Sequence, residues 1–200
     1  LACFITALSA GVAAMPAAIA AEGESANMEE IVIIGSRRAA RSATDTTAPV
    51  DVIAGDELTR NASTDIQDLM RTAVPSYNVN AQPISDAATI SRPANLRGLS
   101  PDNTLVLVNG KRRHRGSVIS FLGGGISDGA QGVDIATIPS LALKRVVVLR
   151  DGASSQYGSD AIAGVINFEL RDAAQGGFLE VTKGSTYEGD GDNYRLAGNI

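Results

Sequence analysis

The stretch "IPSLALKRVVVLRDGASSQYGSDAIAGVINF", Ile138 to Phe168, sets two β-rich runs on either side of a run of small polar residues. Lys144 to Arg150 and Gly164 to Leu170 are dense in β-branched and aromatic side chains and predict two strong buried strands. Ile138-Pro139-Ser140-Leu141-Ala142-Leu143 predicts a short helical turn opened by proline. The join between the strands is harder to read. Ser154, Ser155, Gly158, Ser159 and Asp160 crowd around Tyr157, and a nucleophile loop, a phosphate cradle and a packing turn would all use small residues there.

Outward from that stretch the chain reads as a small α+β domain from about Pro49 to Asp172. Pro49-Val50-Asp51-Val52-Ile53 predicts a short strand. Ser63 to Val74 predicts a helix: Ile66, Leu69, Met70 and Ala73 fall at i, i+3, i+4 and i+7, with Ser63 or Thr64 as N-cap and Pro75 as the stop. Asn95-Leu96-Arg97-Gly98 and Thr104 to Val108 are further strand candidates, the second closed by the turn signal Asn109-Gly110. Lys111 to Val133 predicts a long glycine-rich loop. Beyond Asp172, Tyr194, Leu196, Gly198 and Ile200 alternate with Asn193, Arg195, Ala197 and Asn199, after a polar turn at Glu188 to Asp192. Such strands belong equally to a transmembrane β-barrel and to any antiparallel hairpin. The pattern breaks off at Ile200, which predicts that the series continues.

At the other end, Leu1 to Ala21 is uncharged and apolar, closes on the small-x-small Ala18-Ile19-Ala20, and gives way to Glu22-Gly23-Glu24-Ser25. That predicts the apolar region and cleavage site of a secretory signal whose basic start is missing; the rival reading, a transmembrane anchor, is disfavoured by Pro16 and the many alanines. Cys3, the only cysteine, lies inside it, so the mature chain has no thiol for a disulfide, a metal or a nucleophile. Glu29-Glu30-Ile31-Val32-Ile33-Ile34-Gly35 is a β-rich run with polar sequence on both sides and no sequence neighbour to pair with. It reads either as a buried first strand or as a strand offered to a partner by edge addition.

Charge and motif spacing exclude several functions. The net charge of −5 makes the chain as a whole a poor polyanion binder, though it excludes nothing locally, so nucleic acid is not an expected partner. The acidic turn at 188–192 lacks the glycine and terminal glutamate of an EF-hand, and Gly123-Gly124-Gly125 lacks the Lys-Ser/Thr of a P-loop. No G-x-S-x-G surrounds Ser154 or Ser155, and one histidine, His114, without cysteine supplies no zinc site or Ser-His-Asp machine. No catalytic residue, metal ligand or cofactor is expected. Lys111-Arg112-Arg113-His114-Arg115 reads either as a grip for an anionic group or as a solvated turn.

In order, a secretory signal, "EEIVIIG", "APVDVI", an amphipathic helix, "NLRGLSPDNTLVLVNGKR", the Ile138–Phe168 stretch and alternating strands resemble the N-terminal third of TonB-dependent outer-membrane receptors. The resemblance covers Glu29 to Ile200. It implies an α+β plug domain (a small mixed sheet with short helices) at 49–172, followed by the first strands of a transmembrane β-barrel at 177–200. Residues 1–21 are then the signal, and 22–48 a periplasmic leader. Within that leader, Glu30, Ile31, Val32, Ile33 and Ile34 correspond to the TonB box that the energy-transducing partner captures. The resemblance also makes the Tyr157 segment a packing turn, in which Tyr157-Gly158 and Ala161 to Gly164 let backbones approach closely. Arg113, His114, Arg115 and Phe121 become part of a substrate-binding floor. Arg97 and Arg150 become buried contacts to glutamates of the barrel wall. The implied function is import of a nutrient, with lipid around the barrel. Asp151-Gly152 stands where iron-siderophore members commonly carry Gly-Pro after the arginine, so the substrate stays open. A stand-alone periplasmic domain of the same fold, or a gene remnant, is the alternative reading.

Overall fold

The computed structural model describes residues 31–32, 41–42, 48–59, 65–79, 91–120, 125–172 and 177–199. In chain order the elements are β1 (Ile31–Val32), β2 (Arg41–Ser42), β3 (Val50–Ala54), α1 (Gly55–Thr59), α2 (Ile66–Ala73), β4 (Tyr77–Val79), β5 (Ala94–Leu96), β6 (Thr104–Val108), β7 (Lys111–Arg112), β8 (Leu143–Leu149), α3 (Ser154–Tyr157), β9 (Gly164–Leu170), β10 (Phe178–Ser185) and β11 (Asp192–Asn199).

The central sheet has five strands in the order β3-β8-β9-β6-β7. It is mixed: β6 and β9 run parallel, and the other pairs are antiparallel. Side chains alternate across it, so β3, β6, β8 and β9 each feed two cores. Val146, Val148, Ile166 and Phe168 join Leu58, Ile66, Leu69 and Met70 of the helices on one face. Phe168 is fully buried there, a burial that contributes about 1.5–3 kcal/mol relative to exposure. Burial also pushes the Tyr77 phenol of this core well above its usual range, so it packs as a neutral group. Val147, Leu149, Val165, Leu105 and Leu107 face the other way, against Ala153 and Ala161.

That second core explains the small residues around Tyr157. Ala161 and Ala163 are wholly buried. Gly164 has φ 149°, and a Cβ on it would overlap the Leu149 carbonyl oxygen. The segment is a packing turn, with one correction. Gly158 has open space where its Cβ would sit; its φ of 93° is what requires glycine.

Other local expectations also shift. Helix α2 begins at Ile66 rather than Ser63, and its N-cap is Asp65, whose carboxylate accepts from the Gln67 N–H at 2.9 Å. Asp65 caps as well as serine does and also pairs with Arg92. The strand expected at 95–98 ends at Leu96, because Arg97 and Gly98 take φ of 57° and 69° and turn the chain. The glycine-rich loop starts with a strand: Asn109 and Gly110, at φ 49° and 74°, fold β7 back on β6. The strand β1 does have a neighbour in sequence, since Ile31 and Val32 pair antiparallel with Ser42 and Arg41.

After the sheet, β10 and β11 form an antiparallel hairpin from Phe178↔Asn199 to Ser185↔Asp192. Its register puts Leu179, Val181, Tyr194 and Leu196 on one face, each 70% exposed or more. The opposite face carries Arg195, whose guanidinium donates to the Ser140 hydroxyl at 3.1 Å. No helix among the described residues is long and apolar enough to cross a membrane.

Candidate functional site

The Asn109-Gly110 turn fixes where the basic run goes. Gly110 N–H donates to Asn167 Oδ1 at 2.9 Å, and Leu170 N–H donates to Asn109 Oδ1 at 2.8 Å, which ties the turn to β9. Arg113 N–H donates to the Val106 carbonyl at 2.9 Å. Past that point the chain leaves the sheet, and Arg113, His114 and Arg115 come together at an open depression of about 440 Å³ with Gln131, Asp134 and Thr137. Gln131 closes its floor: its side chain donates to the Gly116 carbonyl at 2.8 Å and its N–H to Asp102 Oδ1 at 3.1 Å.

The basic side chains differ in how they are held. Arg112 pairs with Asp160 and donates to the Tyr157 carbonyl at 2.7 Å. Arg115 lies between two carboxylates, 3.7 Å from Asp102 and 3.6 Å from Asp160. Arg113 donates to Thr137 Oγ1 at 3.2 Å and, among the described residues, makes no ion pair. His114 is exposed. Phe121 lies outside the described residues. The sequence singled out the cations but not the carboxylates that neutralise them. A net charge of −5 says that acidic partners are plentiful, yet Asp102 and Asp160 are brought in from separate turns.

The two arginines assigned to the barrel have partners inside the domain. Arg150 Nε lies 2.7 Å from Asp51 Oδ2, and Arg97 Nη1 lies 3.9 Å from Asp151 Oδ1. Their side chains are 38% and 46% exposed, so neither is buried by this part of the protein. Of the N-terminal set, Ile31 and Val32 lie in β1, while Glu30, Ile33 and Ile34 lie outside the described residues. Among those residues no group of three or more His, Cys, Asp or Glu could hold a metal.

A family model for the TonB-dependent receptor plug domain matches residues 42–165. The chain belongs to this family. The plug match spans β2 through the start of β9, including the whole basic depression. The ferrienterobactin receptor of Escherichia coli K12 is 32% identical over 119 residues, which is 59% of this chain and 16% of that receptor. The vitamin B12 transporter BtuB of Photobacterium profundum is 24% identical over 186 residues, 93% of this chain and 27% of the transporter. Among solved structures, the ferric enterobactin receptor of Pseudomonas aeruginosa in complex with enterobactin superimposes with a TM-score of 0.56 at 25% identity. That superposition covers 76% of this chain and 22% of the receptor. The chain thus spans between a sixth and about a quarter of the length of these relatives.

Proposed function

We propose that this chain is the plug, with the first barrel strands, of a TonB-dependent outer-membrane receptor that binds a nutrient and imports it with energy from the inner-membrane TonB complex. The plug match over 42–165, followed by a hairpin with one largely apolar face that turns polar only at Lys183, Ser185 and Asp192 beside the turn, carries the reading. A face of Leu179, Val181, Tyr194 and Leu196 suits lipid, and the Arg195 face suits the plug side. The same face disfavours a stand-alone periplasmic domain, which would hold four large apolar side chains in water. Residues 1–21 serve as the secretory signal, 22–48 as the periplasmic leader, 49–172 as the plug and 177–200 as the start of the barrel. The named relatives are receptors and a transporter, and we read the chain's work as binding and passage rather than catalysis.

Energy enters through residues 30–34. Among the described residues β1 carries β2 on one side alone, and TonB pairs with its other edge. Proline there removes a ladder donor and fixes φ. In the whole receptor, Ile31→Pro and Val32→Pro should each abolish both binding of the TonB periplasmic domain and energised uptake, while the nutrient still binds. Full TonB binding by both variants would sink the assignment.

A further inference from the structure

We infer that Asp160 and Asp102 are resident counter-anions of the basic depression, which an incoming polyanionic solute must displace. The inference rests on the receptor reading and names a substrate class for its plug surface. Three guanidiniums meet three carboxylates across this depression and the smaller one that adjoins it through Arg113, His114, Arg115 and Gln131: Asp134 lines the larger, and Arg112, Asp102 and Asp160 line the smaller. The empty surface is therefore close to balanced, and a neutral solute gains little charge attraction from it.

The tethers are unequal. Arg112 has two partners, the Asp160 carboxylate and the Tyr157 carbonyl, with its side chain 49% exposed. Arg115 is shared between Asp102 and Asp160 at 3.7 and 3.6 Å, with its side chain 47% exposed. Exposed pairs of that kind are weak and screened by salt. Arg113 spends one donor on Thr137 and keeps the rest of its fork for an anion. The Asp134 carboxylate accepts from Ala136 N–H at 3.0 Å, which draws it into its own turn. A ligand with one negative charge has to compete with two resident carboxylates for Arg115. A ligand with several charges bridges Arg113 and Arg115 together, and His114 stands between them in sequence. The small polar turn around Tyr157 thus supplies, through Asp160, the charge that sets this threshold.

The test uses the whole receptor purified from the outer membrane, with two probes: the anionic chelate ferric enterobactin, and vitamin B12 as a solute without comparable negative charge. Asparagine keeps an acceptor for Arg112 or for Gln131 N–H but removes the competing charge. Asp160→Asn and Asp102→Asn should each tighten ferric enterobactin binding, by about three- to fivefold, the scale of an exposed ion pair. Both should steepen its dependence on salt, and Arg115→Gln should weaken it about tenfold, the scale of a charge-assisted contact. Vitamin B12 binding should not respond to the asparagine changes. If the asparagine variants weaken the chelate, or leave it unchanged, Asp160 and Asp102 serve only the fold and the inference fails. It also fails if the wild-type receptor binds no ferric enterobactin. TonB binding at residues 31 and 32 is read without ligand, so these failures leave the receptor reading to be judged separately.

Discussion

At the scale of single residues, Gly164 and Gly158 show how one residue type meets two demands. Gly164→Ala forces both φ 149° on an alanine and a Cβ onto the Leu149 carbonyl. It should cost about 2–3 kcal/mol, the range of a strained backbone position with nowhere to relax. Gly158→Ala meets only the conformational penalty and should cost less, about 1–2 kcal/mol. Urea unfolding of both variants checks the order, and equal losses would contradict it. That small residues here serve packing was legible from the sequence together with its family resemblance. Which glycine packs and which merely turns was not, because it depends on how close Leu149 comes. Asp160 was legible only as a polar member of that turn. Its arginines lie 45 and 48 positions away in sequence, and no local pattern links them.

Elements were legible wherever one periodicity dominated. The alternating and β-branched runs gave β3, β6, β8 and β9 to within a residue or two, and the Asn109-Gly110 signal gave the β6–β7 turn. The helix was found, but its start was misplaced, because Ser63, Thr64 and Asp65 are all good caps and only tertiary contact chooses among them. Asp65 is chosen because its second oxygen meets Arg92, 27 positions away and half-buried beside it. Asp65→Ala should therefore cost more than a simple cap, about 1–2 kcal/mol in all. Asp65→Asn keeps the bond to Gln67 N–H and should recover more than half of that, as read by the urea midpoint. If asparagine is as damaging as alanine, the Arg92 pair dominates and the cap is minor.

Across the whole molecule, Arg97 and Arg150 test whether the plug is complete in itself. Within this chain they rest on Asp151 and Asp51 and stay 46% and 38% exposed. Replacing either by alanine in the isolated 200-residue chain should cost less than about 1 kcal/mol. If barrel carboxylates close over them in the whole receptor, as the family resemblance implies, the same change should cost about 3–5 kcal/mol there. It should also raise passive leakage of small solutes through the barrel. Equal losses in both settings would mean that the aspartates are the working partners. The β10–β11 hairpin carries a different consequence. Its four apolar side chains are uncovered here, lipid being their cover on the proposed reading, and its outer edges are unpaired among the described residues. A chain crossing the periplasm in this state is a template for its own neighbours. Its safe delivery then depends on escort, and on how quickly barrel closure follows synthesis of the plug.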